Sequence, residues 1–270
     1  MRLPPALRGG PFLAGAAILL FWVCCAAFAS LVVPYDPYRD DLMNTLAAPS
    51  AAHWFGTDQL GRDVFSRVLV GARDILAIAP VATLLATIAG TALGLLGGYV
   101  GGVLDAVLSR LIEVLLALPL IIVALLALVA LGPSSGTVIV VIAVIFTPLI
   151  ARTVRAAVRS ECALDYVAAA ELRGENSLHI MFVEILPNIV PPILVETTVR
   201  LGYAIFTVAS LSFLGFGIQP PSADWGLTIS ENYGLITGGY WWTVAFAAAA
   251  TASLVVGANL VADGLQGGLE

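Results

Sequence analysis

A chain of 270 residues that is 60% hydrophobic and only 11% charged is not a soluble domain, where about 25% of residues carry charge; it is built for lipid. Its formal net charge of −6 and the absence of any basic run remove nucleic acid as a partner. All 12 basic residues are arginine, so the phosphate-loop lysine, the Schiff-base lysine and the Ser-x-x-Lys dyad are excluded, and any ATP that drives this chain is hydrolysed on another subunit.

A membrane-spanning helix takes about 20 apolar residues, and six stretches supply them: 11–33, 75–100, 103–131, 132–151, 189–217 and 241–261. The first follows Arg2 and Arg8 and contains Ala27-Phe28-Ala29, a small-x-small pattern like a leader cleavage site. Its uncharged run is longer than a leader's, so we expect it to remain as a span. Cys24 and Cys25 adjoin within it and Cys162 stands alone, a spacing that fits neither zinc nor a disulfide framework. In the second stretch Gly90, Gly94 and Gly98 recur every four residues, a small-residue face for close packing within the chain. The third carries Asp105, Arg110 and Glu113 in its first turns, and Arg110 with Glu113 is expected to anchor its inner end.

The fourth stretch contains Pro148 and opens with Gly132-Pro133-Ser134-Ser135-Gly136. That run matches Gly-x-Ser-x-Gly and, with His53 on the same side, raises a membrane serine hydrolase using Ser134; a turn between two apolar helices is the plainer reading of the same residues. The fifth holds Glu196 and Arg200 at i and i+4, each costly alone in hydrocarbon and tolerable as a pair. Two readings of that pair stay open: it lines a translocation path and meets the charged ends of a zwitterionic peptide, or it is a structural pair at a subunit interface. The sixth starts at Tyr240-Trp241-Trp242, aromatic residues suited to the headgroup layer, and closes near Asp263.

Arginine placement orients the spans. Arg2, Arg8, Arg110, Arg152, Arg155, Arg159 and Arg173 gather on one side, which is then cytoplasmic, while Arg39, Arg62, Arg67 and Arg73 lie among aspartates in a long external loop. Six crossings put both termini in the cytoplasm and leave two large external segments, 34–74 and 218–240, and one internal segment, 152–188. The external loop, with Trp54 and a helix-like stretch over 58–67, either docks a partner or caps the outer mouth. Within the internal segment the residues predict two short helices: Asp165 can cap the first, Ala168, Ala169 and Ala170 favour it, Gly174 stops it, and Asn176 or Ser177 caps the second before Pro187.

The run from Tyr166 to Pro187 resembles the EAA loop of ABC importer permeases, Glu-Ala-Ala, three residues, Gly, nine residues, Ile, one residue, Leu-Pro. Ala169, Ala170, Gly174, Leu186 and Pro187 fall on that spacing; Ala168 stands where the family has Glu, and Glu184 where it has Ile. The segments 53–67, Gly98-Tyr99-Val100-Gly101-Gly102, 211–221 with Trp225-Gly226, and Asn259 to Leu265 are similar to the dipeptide/oligopeptide permease C family, in the family's order.

The resemblance implies an all-α, polytopic membrane protein with six transmembrane helices and the type I ABC importer permease fold. Residues 1–74 would form an N-terminal anchor helix and external loop, and 75–265 the permease domain with its coupling loop at 152–188. It further implies a bacterial plasma-membrane subunit with no active site and no cofactor of its own. Its partners would be a second homologous permease chain, two ATPase subunits or one fused ATPase that bind ATP and Mg, and an extracytoplasmic solute-binding protein. The cargo would be short peptides or, alternatively, a nickel complex or glutathione-like compound. Contacts to the ATPase would come from Asp165, Tyr166, Ala168, Ala169, Ala170, Glu171, Gly174, Leu186 and Pro187. Glu171, three residues beyond Ala168 and on the same helical face, is expected to replace the missing family glutamate. Val208 stands where an acidic residue often precedes the family's Ala-x-Leu-Ser-Phe run, a departure bearing on cargo.

Overall fold

The computed structural model describes residues 9–267. Arg2, Arg8 and both chain termini lie outside the described residues. The helices follow one another as α1 (Gly10–Val32), α2 (Val64–Val100), α3 (Gly102–Leu116), α4 (Leu120–Leu131), α5 (Ser135–Cys162), α6 (Asp165–Leu172), α7 (Ser177–His179), a π-helical turn (Ile180–Ile185), α8 (Leu186–Phe213), α9 (Trp225–Asn232) and α10 (Trp242–Gln266). The described residues contain no strand, only a single bridge between Thr57 and Asp63. Among the described residues five helices are long and apolar enough to cross a membrane, and α3 with α4 makes a sixth when the pair is counted as one crossing.

The centre of the molecule is α2 against α5, and glycine sets their distance. A Cβ on Gly90, Gly94 or Gly98 would lie 2.7, 2.6 and 2.7 Å from the Cβ atoms of Ile150, Val154 and Val158, so the two backbones touch only because those side chains are missing. This bears out the expected packing within the chain. The register rises together on both helices, so α2 and α5 run parallel. The chain must therefore return across the membrane between them, which makes α3 and α4 one crossing. By the same kind of contact α1 runs antiparallel to α10: Phe12 meets Gly264, Gly15 meets Leu260, Ile18 meets Gly257, and Trp22 Nε1 donates to Ser253 Oγ at 2.8 Å.

The third stretch is not one straight helix. It bends by 88° over Ala117-Leu118-Pro119. Pro119 lacks the N–H that would continue the ladder and disfavours helical backbone at Leu118. Pro80 and Pro148 sit inside unbroken α2 and α5, held by the packed α2–α5 seam. Around Pro119 no such seam exists, since α3 buries only Asp105 and Ile112 and α4 only Ala124 and Leu128.

Three boundaries also shift. α5 continues beyond Ala151 to Cys162, carrying Arg152, Arg155 and Arg159 on the span itself. The second short helix of the 152–188 segment does not stop at Pro187: residues Ser177–Phe213 form one continuous helical run, with Pro187 inside it directly after the π-helical turn Ile180–Ile185. The 58–67 stretch is not helical until Val64; Asp63 caps α2 by accepting from Ser66 N at 2.8 Å. At 37 residues α2 is about 55 Å long, well beyond the ~30 Å hydrocarbon layer, so its first turns stand clear of the spans with segments 34–63 and 218–240. We call that the cap end and the opposite one, with residues 152–188, the loop end.

Candidate functional site

At the loop end, α6 starts after Leu164 with Asp165 as its first residue. Asp165 makes no capping bond; its carboxylate lies in the first turn, where the helix dipole favours it, in place of the cap expected from sequence. Gly174, at φ +74°, ends the helix in the left-handed region as expected. Asn176 caps the next turn, accepting from Leu178 N at 3.1 Å. Val167 and Ala170 face the protein and are buried, while Asp165, Ala168, Ala169, Glu171 and Leu172 face away. Leu172 is 90% exposed, and Leu164, Leu178, Phe182 and Val183 of the same segment are exposed as well. Leu186 is half-buried and Pro187 exposed at the foot of α8.

Two side chains tie α6 to the membrane helices. Tyr166 Oη donates to Glu161 Oε2 of α5 at 2.7 Å and accepts from Asn188 Nδ2 of α8 at 3.2 Å. Burial, then the bond to Glu161, pushes the Tyr166 phenol above its ordinary value. Tyr99 Oη, at the end of α2, donates to Glu171 Oε1 at 3.4 Å. Next to them, one oxygen or nitrogen each from Glu175, His179 and Glu184 comes within 4.8 Å of the others. A guanidinium already serves this cluster: Arg173 Nε donates to Glu175 at 2.7 Å, and Arg173 lies 3.8 Å from Glu184, the residue standing for the family's isoleucine.

Above the loop end, Asp105 of α3 is buried and accepts from both Arg155 and Arg159 of α5, with Arg155 Nη2 at 2.7 Å. Arg110 and Glu113 pair at 3.4 Å but are largely exposed. Midway along α8, Arg200 Nε donates to Glu196 Oε1 at 2.6 Å, the pairing their spacing predicts. At the cap end segments 34–74 and 218–240 close on each other through charge. Arg62 binds Asp58 at 2.7 Å and Glu231 at 3.0 Å, while fully buried Arg67 donates to the carbonyls of Pro37 at 3.2 Å and Ser222 at 3.0 Å.

Residues 90–270 match the sequence family described as the inner membrane component of binding-protein-dependent transport systems. The chain is 40% identical over 266 residues to the dipeptide transport system permease protein DppC of Escherichia coli, covering 95% of this chain and 88% of that protein. It is 37% identical over 268 residues to the glutathione transport system permease protein GsiD of Pectobacterium atrosepticum, covering 98% and 88%.

The chain belongs to this permease family. A chain of the MetNI methionine ABC transporter, solved in inward-facing conformations, superposes with a TM-score of 0.61 at 20% identity, over 73% of this permease and 93% of that chain. The fold is thus the all-helical fold of importer permeases, and the protein is a multi-pass inner-membrane subunit, not an enzyme. Ser134, the serine of the hydrolase reading, is the N-cap of α5, accepting from Thr137 N at 3.1 Å, in a helix–turn–helix rather than the strand–turn–helix a nucleophile needs. His53 is engaged by Asp63 at 2.9 Å.

The permease brings the expected loop residues into two groups: an outward set of Asp165, Ala168, Ala169, Glu171 and Gly174, and an inward strut at Tyr166, with Ala170 buried beneath. Sequence reasoning missed the Asp105 bond to Arg155 and Arg159. A carboxylate in the first turn of an apolar stretch was the available signal, but its partners lie 50 and 54 residues away.

Proposed function

We propose that this permease forms half of the translocation pathway for short peptides in an ATP-driven importer, with its termini and coupling loop 152–188 in the cytoplasm. The observation that carries the reading is α6 itself. It is a short helix at EAA-loop positions that buries one face on the spans and presents Leu164, Ala168, Ala169, Glu171 and Leu172 to a partner. The partner is one of two ATPase subunits, or a fused one, which bind and hydrolyse ATP with Mg. A second homologous permease supplies the other half of the path, and an extracytoplasmic binding protein delivers cargo to the cap end. We keep residues 1–74 as anchor and external loop and 75–265 as the permease domain. Glu196 and Arg200 line the path.

Closure of the ATPase pair pushes on α6, and Tyr166 passes the displacement to α5 and α8. Glu171 takes the part of the family glutamate, so Glu171→Ala is expected to uncouple ATP hydrolysis from uptake; unchanged coupling would remove that role. For cargo, the test is ATPase activity of the reconstituted complex with its partners across di- to pentapeptides, glutathione and nickel chelates. Peptide stimulation is the expected result. Stimulation by glutathione alone would favour the second reading, a glutathione-like cargo, which the likeness to GsiD supports.

A further inference from the structure

The break in the third crossing opens a cavity of about 580 Å3 between the start of α4, α5 and α8, within the ~300–1,000 Å3 range of small-ligand sites. Pro119, Leu120, Ile145 and Phe146 make its walls apolar, and Arg200, Tyr203 and Thr207 are its polar lining. The Thr207 hydroxyl donates to the Tyr203 carbonyl of its own helix at 2.8 Å, so its proton is already used. Arg200 is different. Its Nε–H is given to Glu196, and neither terminal nitrogen has a protein partner among the described residues. The guanidinium carbon stands 5.4 Å from the centre of the Tyr203 ring, which holds the plane by cation–π contact. Arg200 lines the cavity and Glu196 is not among its lining residues, so the charged residue the cavity meets is the cation, with its counter-charge set to one side.

A fork with free terminal N–H groups in an apolar, partly closed site matches a carboxylate in geometry and charge. We infer that this cavity is a subsite for the α-carboxylate of a short peptide, bound by the terminal nitrogens of Arg200 beside Tyr203. The inference rests on reading α8 as lining the path. A zwitterionic peptide brings its own ammonium group, so filling the site adds no net charge to the Glu196–Arg200 pair. An amidated peptide offers the fork one neutral carbonyl oxygen in place of a two-oxygen anion.

The test uses the assembled complex of both permeases and the ATPase subunits in nanodiscs, without the binding protein, so that only the pathway selects. Equilibrium dialysis measures binding of radiolabelled dialanine and dialanine amide to the wild type, to Arg200→Gln and to Arg200→Lys, which keeps the charge beside Glu196 but lacks the fork. The expected result is a loss of about tenfold in dialanine affinity in both variants, with the weaker binding of the amide unmoved. Equal binding of acid and amide by the wild type, or unchanged dialanine affinity in both variants, would overturn the subsite. Uptake of peptides by the wild-type complex with its binding protein is scored in parallel. Where uptake is present and the fork makes no difference, only the subsite is lost; where no peptide is taken up, the peptide reading beneath it is lost as well.

Discussion

Single atoms decide how the loop end is held to the spans. The Tyr166 hydroxyl is bonded on one side to Glu161 of α5 and on the other to Asn188 of α8, so one phenol joins α6 to two spans. Each bond of this kind is worth about 1 kcal/mol, and the one to a charged carboxylate somewhat more. Tyr166→Phe keeps the ring and removes only the hydroxyl. It is expected to lower peptide imported per ATP hydrolysed by about threefold to tenfold in proteoliposomes. Removing the other two ends of the strut together, Glu161→Ala with Asn188→Ala, should produce the same loss and make Tyr166→Phe silent, an outcome that simple loosening of α6 would not give. Asp105 is the second such residue. Its single negative charge bridges two arginines, so Asp105→Asn leaves a like-charge pair facing an amide and is expected to release α3 from α5, read as faster hydrogen exchange over 102–116.

At the scale of elements, glycine spacing is the term that decides the core. Gly94→Ala would place a Cβ 2.6 Å from Val154 Cβ and 2.9 Å from the Ala151 carbonyl, a backbone atom unable to move aside alone, so the two helices must part. The expected cost is about 1–3 kcal/mol, seen as a lower melting temperature of the detergent-solubilised chain, whereas Gly136→Ala, with nothing closer than 3.9 Å, is expected to leave it unchanged. This packing was legible beforehand because a four-residue repeat of glycine carries its own geometry. The break at Pro119 was not, because a proline breaks a helix only where packing does not hold it, and packing is not written in the local sequence: Pro80 and Pro148 read the same way and do not interrupt their helices. The continuity of α7 into α8 escaped for a related reason. Asn176 and Pro187 are both ordinary boundary residues, yet only Asn176 marks a boundary; Pro187 lies inside one long helix. Glu196 and Arg200 were legible as a pair because their partners are four residues apart, while the strut at Tyr166 reaches 22 residues to Asn188.

For the molecule as a whole, the cap end and the loop end are built on opposite principles. The loop end leaves apolar surface uncovered; the cap end buries charge. Arg67, only 1% exposed, reaches both cap-end segments by donating to the carbonyls of Pro37 and Ser222, while Arg62 serves the carboxylates of Asp58 and Glu231, so Arg67→Met leaves two carbonyls without their donor and is expected to destabilise the cap by about 2 kcal/mol or more, read as loss of exchange protection in α9. The cap also titrates. Asp224 begins α9, accepting from Leu227 N at 2.9 Å, but its other oxygen is buried without a partner, and burial first, with nearby Asp74 adding repulsion, raises its pKa to about 6. Asp74 itself accepts from Ser222 Oγ at 2.5 Å. Unfolded, an aspartate titrates near ~3.9, so between about pH 4 and pH 6 the native cap holds a proton that the unfolded chain has released. Stability contributed by the neutral form is complete below pH ~4, is lost as pH rises through about 6, and then stays level, a fall of order 3 kcal/mol at most. Asp224→Asn keeps the capping oxygen and removes the titration. Its melting temperature should therefore exceed that of the wild type at pH 7, match it near pH 4.5, and lack the decline between them. A difference in melting temperature between Asp224→Asn and the wild type that stays constant over this interval would show that Asp224 does not titrate within it.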